Sequence, residues 1–262
     1  KKTKVEFLLE ALIKENHSCG EGIEIYKKKE KYYDELNEFN RIRPSIFIKD
    51  ISKEKEYITN AFAIVDGVGS ELLKNYLGIK PLNWFILNNN SKNDDIEIFI
   101  KRVGTENKFF SIGTGFIQDI GKYIQIKYQK KCICIPTALS THVYGSMHIS
   151  NHEIFNLKEE NTSFKSNIAA LTWIDYSFLK DINIKNPKLM KNGISDVYAL
   201  KTATKEWQDS PKYIGNKIDR ATLIISKEAI NLLHKCVEFE CIESLVLAQA
   251  LLNIITEIQG SA

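Results

Sequence analysis

Between Asn60 and Pro136 the chain alternates short apolar runs with helical ones, and this alternation limits the fold more than any other feature. "AFAIVDGVG" reads as a strand and turn, "SELLKNYLG" as a short helix opened by Ser70 and closed by Gly78, and "LNWFILNNN" as a buried strand. "DDIEIFIKRV" has helical spacing, "KFFSI" is a strand, a helix follows to Gln129, and "CICIP" is another strand. Strands alternating with helices at this spacing build βαβ units and a parallel sheet, whose ligands sit beyond the carboxyl ends of the strands.

One such end carries "FFSIGTGFIQDIGKYI", where a strand passes through Gly-Thr-Gly into an amphipathic helix. Gly113 and Gly115 let the backbone turn sharply and approach a ligand closely, and the first amides of a helix attract an anion. The stretch is therefore a phosphate seat or, alternatively, a tight turn without a ligand. It is not a complete G-x-G-x-x-G fingerprint, because Gln118 stands where the third glycine would be. Asp119 braces the turn, and Lys122 either neutralises phosphate or solvates a surface. The next loop at a strand end runs from Thr137 to Ser146.

The 262 residues suffice for one large domain or two small ones. A net charge of +3, without aromatics set into a basic stripe, gives no footprint for nucleic acid. No membrane span is expected, because the apolar run from Leu245 to Ile255 is short and is interrupted by Gln249 and Asn253. The N-terminus lacks a secretory pattern. The five cysteines, Cys19, Cys132, Cys134, Cys236 and Cys241, form no disulfide framework, so a reducing cytoplasmic setting is expected. Residues 1–57 read as a lysine-rich extension of unknown role, with helical spacing at Val5–Ile13 and a charged stretch from Tyr26 to Asn40. After Asp175 the texture turns helical: Val197, Leu200, Ala203 and Trp207 share a face, and Gly193 precedes the helix start.

Three blocks in order resemble the iron-containing alcohol dehydrogenase superfamily, nearest its glycerol-1-phosphate dehydrogenase branch. "IGTGFIQDIGKY" is similar to its Gly-rich turn and helix, and "CICIPTALSTHVYGSMHIS" to its P-T-A-x-S loop. "IDYSFLKDINIKNPKLMKNGISDVYALKTATKEW" is similar to a segment carrying Pro187, Gly193, Asp196, Thr202, Ala203 and Trp207 in register. The resemblance implies a dehydroquinate synthase-like α/β fold: a Rossmann-like parallel-sheet domain over residues 58–178, then an all-helical domain over 179–262. It implies an NAD- or NADP-dependent dehydrogenase that uses a divalent metal (zinc, nickel or iron) to interconvert a polyol phosphate and its keto form. Gly113, Thr114, Gly115 and Asp119 would serve the cofactor pyrophosphate, and Thr137, Ser140 and Ser146 the nicotinamide and its ribose. Asp196 would be a metal ligand. A homo-oligomer is compatible with the family.

The chain departs from the pattern in four places, two of them a Gly-rich turn that lacks one glycine and the serine, and a single helix between "FILNNN" and "KFFSI" where the family has two β-α passes. His142 stands where the family loop has an aspartate that contacts substrate, and its imidazole is expected at the substrate's polar end. The family's metal-ligating histidines fall on later helices, whereas this sequence stops at Ala262, so a C-terminally truncated protein is expected. The alternative is a catalytically impaired nucleotide-binding or scaffold relative within a larger biosynthetic protein. Cys132 and Cys134 read as packing residues, and His142, His148 and His152 as a less favoured second metal set.

Overall fold

The computed structural model describes residues 46–150, 152–155, 163–165, 171–209, 220–239 and 241–259. The expectations for Val5–Ile13, Tyr26–Asn40 and Cys19 lie outside the described residues.

Six strands form one parallel sheet: β1 (Ile46–Ile48), β2 (Ala63–Val65), β3 (Trp84–Ile86), β4 (Lys108–Gly113), β5 (Lys131–Pro136) and, from further along the chain, β8 (Leu171–Ile174). Their order across the sheet is β1-β8-β5-β4-β2-β3. A separate antiparallel pair joins β6 (His148–Ser150) to β7 (Ser163–Lys165). Helices α1 (Lys55–Asn60), α2 (Gly67–Leu77), α3 (Asn93–Val103) and α4 (Gly115–Tyr128) connect the first strands. The α/β reading therefore holds. The expected start at residue 58 does not, because Ile46↔Thr172 to Ile48↔Ile174 already pair in register. Three apolar residues behind a polar stretch give too little periodicity to announce a strand.

Other local differences have equally plain causes. Helix α2 opens at Gly67, not Ser70, because the Asp66 carboxylate caps it through the Gly69 amide. Its end is as expected, with Gly78 left-handed at φ 61°. Strand β3 lies at the sheet edge and is half-exposed, so its apolar run marks an edge and not a buried centre.

Among the described residues five helices follow: α5 (Tyr176–Lys185), α6 (Pro187–Tyr198), α7 (Leu200–Asp209), α8 (Arg220–Phe239) and α9 (Ile242–Gln259). Pro187 starts α6 at the position where its missing N–H costs nothing. Gly193 lies within α6 instead of preceding a helix, and Asp196 falls in its last turn. Leu200, Leu232, Leu233, Leu245, Val246 and Leu251 form the helical core. Leu139 and Tyr144, from the loop after β5, are buried in that same core, while α5 sends Phe178 and Ile182 to the sheet and Leu179 to the helices. The halves thus share packing across the junction. No helix among the described residues is long and apolar enough to cross a membrane.

Candidate active site at the sheet's carboxyl edge

The connection from β2 to β3 leaves on one side of β2, and the chain returns to place β4 on the other. The strand order therefore reverses between β2 and β4, which is where an open α/β sheet forms its ligand crevice. Asp66 ends β2 there and the Gly113–Thr114–Gly115 turn ends β4. The Thr114 amide donates to Asp66 Oδ2 at 2.8 Å, tying the turn to the start of α2. Gly113 must be bare: a Cβ would lie 2.2 Å from Asp66 Oδ2. Sequence reading missed Asp66, whose sole local signal was its place between an apolar strand and a Gly-rich helix start.

Thr114 makes no side-chain cap on α4, so the first-turn amides of this 14-residue helix have no side-chain acceptor from it. In front of them lies an open cleft of about 500 Å³, lined by Asp66, Val68, Leu87, Asn88–Asn90, Thr114 and Phe116. A helix start without a side-chain cap, its positive end and a carboxylate at the rim suit an elongated ligand carrying both phosphate and hydroxyl groups.

Thr137 donates its amide to the Gly113 carbonyl at 3.1 Å and is buried beneath the turn, while Ser140 is half-buried at the start of the following loop. Ser146 is buried, and its hydroxyl accepts from the His148 amide at 2.9 Å, which commits it to the loop's own structure. Asp119 also departs from its cofactor assignment. It is 2% exposed and pairs with Lys122 at 2.8 Å and with His152 at 3.0 Å. Burial raises its carboxyl pKa, but the Lys122 ammonium and the His152 hydrogen bond outweigh that and hold it below the usual range. Lys122 is fully buried and donates to the carbonyls of Val143 and His148, so it neither meets a phosphate nor solvates a surface. The two form a strut under the loop after β5.

On that loop, His142 meets Asp196 of α6. Its Nδ1 lies 2.5 Å from Asp196 Oδ2, and its amide donates to the same oxygen at 3.3 Å. The helix reaches the loop because Gly193, one turn earlier on the same face, carries no side chain: a Cβ there would lie 1.7 Å from the Leu139 carbonyl oxygen. The two residues given separate roles by sequence, substrate contact and metal ligand, are thus one hydrogen-bonded pair. His152 attends Asp119 instead, so the three candidate histidines do not share one carboxylate. Among the described residues no three His, Cys, Asp or Glu side chains gather as a metal set. A catalytic zinc needs at least three protein ligands, so the described residues do not by themselves fit the metal. Cys132 and Cys134 are buried in the sheet, and burial pushes the Cys132 thiol well up, which suits packing and not nucleophilic work.

No family model matches the chain. A 139-residue stretch is 30% identical to the glycerol-1-phosphate dehydrogenase [NAD(P)+] of Methanococcus aeolicus, spanning 52% of this chain and 37% of that protein. The structure superposes on a probable glycerol dehydrogenase from Sinorhizobium meliloti with a TM-score of 0.57 at 17% identity, covering 82% of this chain and 62% of that one. An iron-containing alcohol dehydrogenase from Thermotoga maritima gives a TM-score of 0.54 at 12% identity, covering 84% and 69%. The chain has the fold of the iron-containing alcohol dehydrogenase superfamily. The expected dehydroquinate synthase-like α/β fold therefore holds, and the chain spans little over a third of the curated relative that it matches.

Proposed function

We propose that the chain is the dinucleotide-binding part of an NAD(P)-dependent dehydrogenase acting on a polyol phosphate. The observation that carries this reading is the Gly113–Gly115 turn at the β2/β4 reversal, with the start of α4 facing the cleft without a Thr114 cap. The pyrophosphate would rest on the amides of Gly115 and Phe116. Thr137, whose amide donates to the Gly113 carbonyl, and Ser140 in the loop that follows are assigned to the nicotinamide end. His142, with Asp196 behind it, would hydrogen-bond the substrate's polar end through Nε2, which has no partner among the described residues. A bound oxidised dinucleotide would supply the hydride acceptor for turning the substrate hydroxyl into a carbonyl, and His142 Nε2 would take the hydroxyl proton. Asp196 keeps one carboxylate oxygen outside the His142 pair, and we assign it to a divalent metal whose other ligands are not among the described residues.

The pairing of Asp196 with His142 favours a second reading, a nucleotide-binding relative without turnover. Reduced-nicotinamide absorbance on adding NAD(P)⁺ and glycerol-1-phosphate to the whole protein with its metal bound decides between them. Turnover that collapses in His142→Asn supports the dehydrogenase; saturable dinucleotide binding without turnover supports the second reading.

A further inference from the structure

Two buried amides interrupt the apolar helix α9, four residues apart, and both reach the loop that carries His142. Gln249 uses both ends of its side chain, donating to the Leu139 carbonyl at 2.9 Å and accepting from the Tyr144 hydroxyl at 2.7 Å. Asn253 uses one end. Its Nδ2 donates to the His142 carbonyl at 3.0 Å, while Oδ1 is buried with no partner among the described residues. That orientation is set by the His142 carbonyl, because the flipped amide would place two acceptors face to face. An unsatisfied buried acceptor on an apolar helix weakens the fold relative to an apolar residue of similar shape.

His142 itself is unusually constrained. Its backbone lies in the sparsely populated bridge region, at φ −91° and ψ 2°. Its amide and Nδ1 are held by Asp196 of α6, and its carbonyl by Asn253 of α9 and the Gly145 amide. Only Nε2 is left to meet a ligand.

We infer that Asn253 is a positioning residue, kept at a cost in stability to hold the His142 backbone so that the imidazole stays on Asp196 with Nε2 left for a ligand. This deepens the dehydrogenase reading above and rests on it for its catalytic consequence. The positioning itself is independent of turnover.

The test compares wild type with Asn253→Leu, which removes the unpaired acceptor, and with Asn253→Ala as a second variant. Nitrogen-15 NMR of the histidine-labelled 262-residue chain reads the His142 ring, and calorimetry reads Tm. Wild type should show one Nδ1-protonated His142 tautomer. In folded Asn253→Leu that signal should broaden or shift, with Tm unchanged or raised. In the metal-loaded whole protein, turnover should fall at least tenfold, with the dinucleotide KM within twofold. An unchanged ring signal in both variants, whatever the Tm, would overturn the inference and leave Asn253 as helix packing. In the whole protein with its metal bound, a wild type without turnover would instead refute the dehydrogenase reading, while the ring signal of the 262-residue chain still decides the positioning role.

Discussion

At Lys122 the sequence offers an ammonium one helical turn beyond Asp119, and burial decides what that ammonium does. With Asp119 2% exposed and Lys122 fully buried, each neutralises the other under the loop. Removing one charge strands its partner, which typically costs about 3–5 kcal/mol. Asp119→Asn should therefore lower stability by roughly that amount at neutral pH in denaturant titrations. The pH dependence has a definite sign. Asp119's carboxyl is held below its ordinary value, so the unfolded chain binds that proton more readily. Its stabilising effect is complete above an unfolded pKa of about 3.9 and is lost as pH falls through the lower folded value. Wild type should show this acid limb, and Asp119→Asn should lack its share. None of this was legible locally, because the carbonyls that receive Lys122 come from Val143 and His148, more than 20 residues away.

Among the elements, two helix positions fix the site. Asp66 caps α2 and also holds the Thr114 amide, so Asp66→Ala should cost about 0.5–2 kcal/mol as a lost cap and loosen the turn in front of α4. Hydrogen exchange at the Thr114 amide should rise well beyond the stability change alone; exchange that follows global stability would contradict the anchoring role. In α6 the bare Gly193 lets the helix touch the Leu139 carbonyl. Gly193→Ala drives a methyl into backbone and should destabilise by about 1–3 kcal/mol or more, moving Asp196 off His142 as well. A neutral Tm in that variant would mean that the approach is looser than described. Strand and helix alternation made these elements readable from Asn60 to Pro136. Their caps were not all readable: Asp66 acts through a turn 48 residues away, while Ser70 looked like the cap by residue type alone.

For the whole molecule, the sequence revealed the parallel sheet, the Gly-Thr-Gly turn at a strand end and the helical second half, because each depends on local periodicity or on glycine. It did not reveal that β1 enters the sheet beside β8, nor that His142 and Asp196, 54 residues apart, meet. Such contacts depend on tertiary packing around Gly193 and α9, which no local pattern encodes. The central claim is that the strand-order reversal forms a dinucleotide site on the α4 amides. Fluorescence titration of the 262-residue chain with reduced NADH and NADPH tests it most directly, with Gly115→Val as the paired variant and circular dichroism to confirm its fold. Saturable binding of at least one dinucleotide, weakened tenfold or more in folded Gly115→Val, is the predicted result. No binding by wild type, or equal affinity in the variant, would contradict the account.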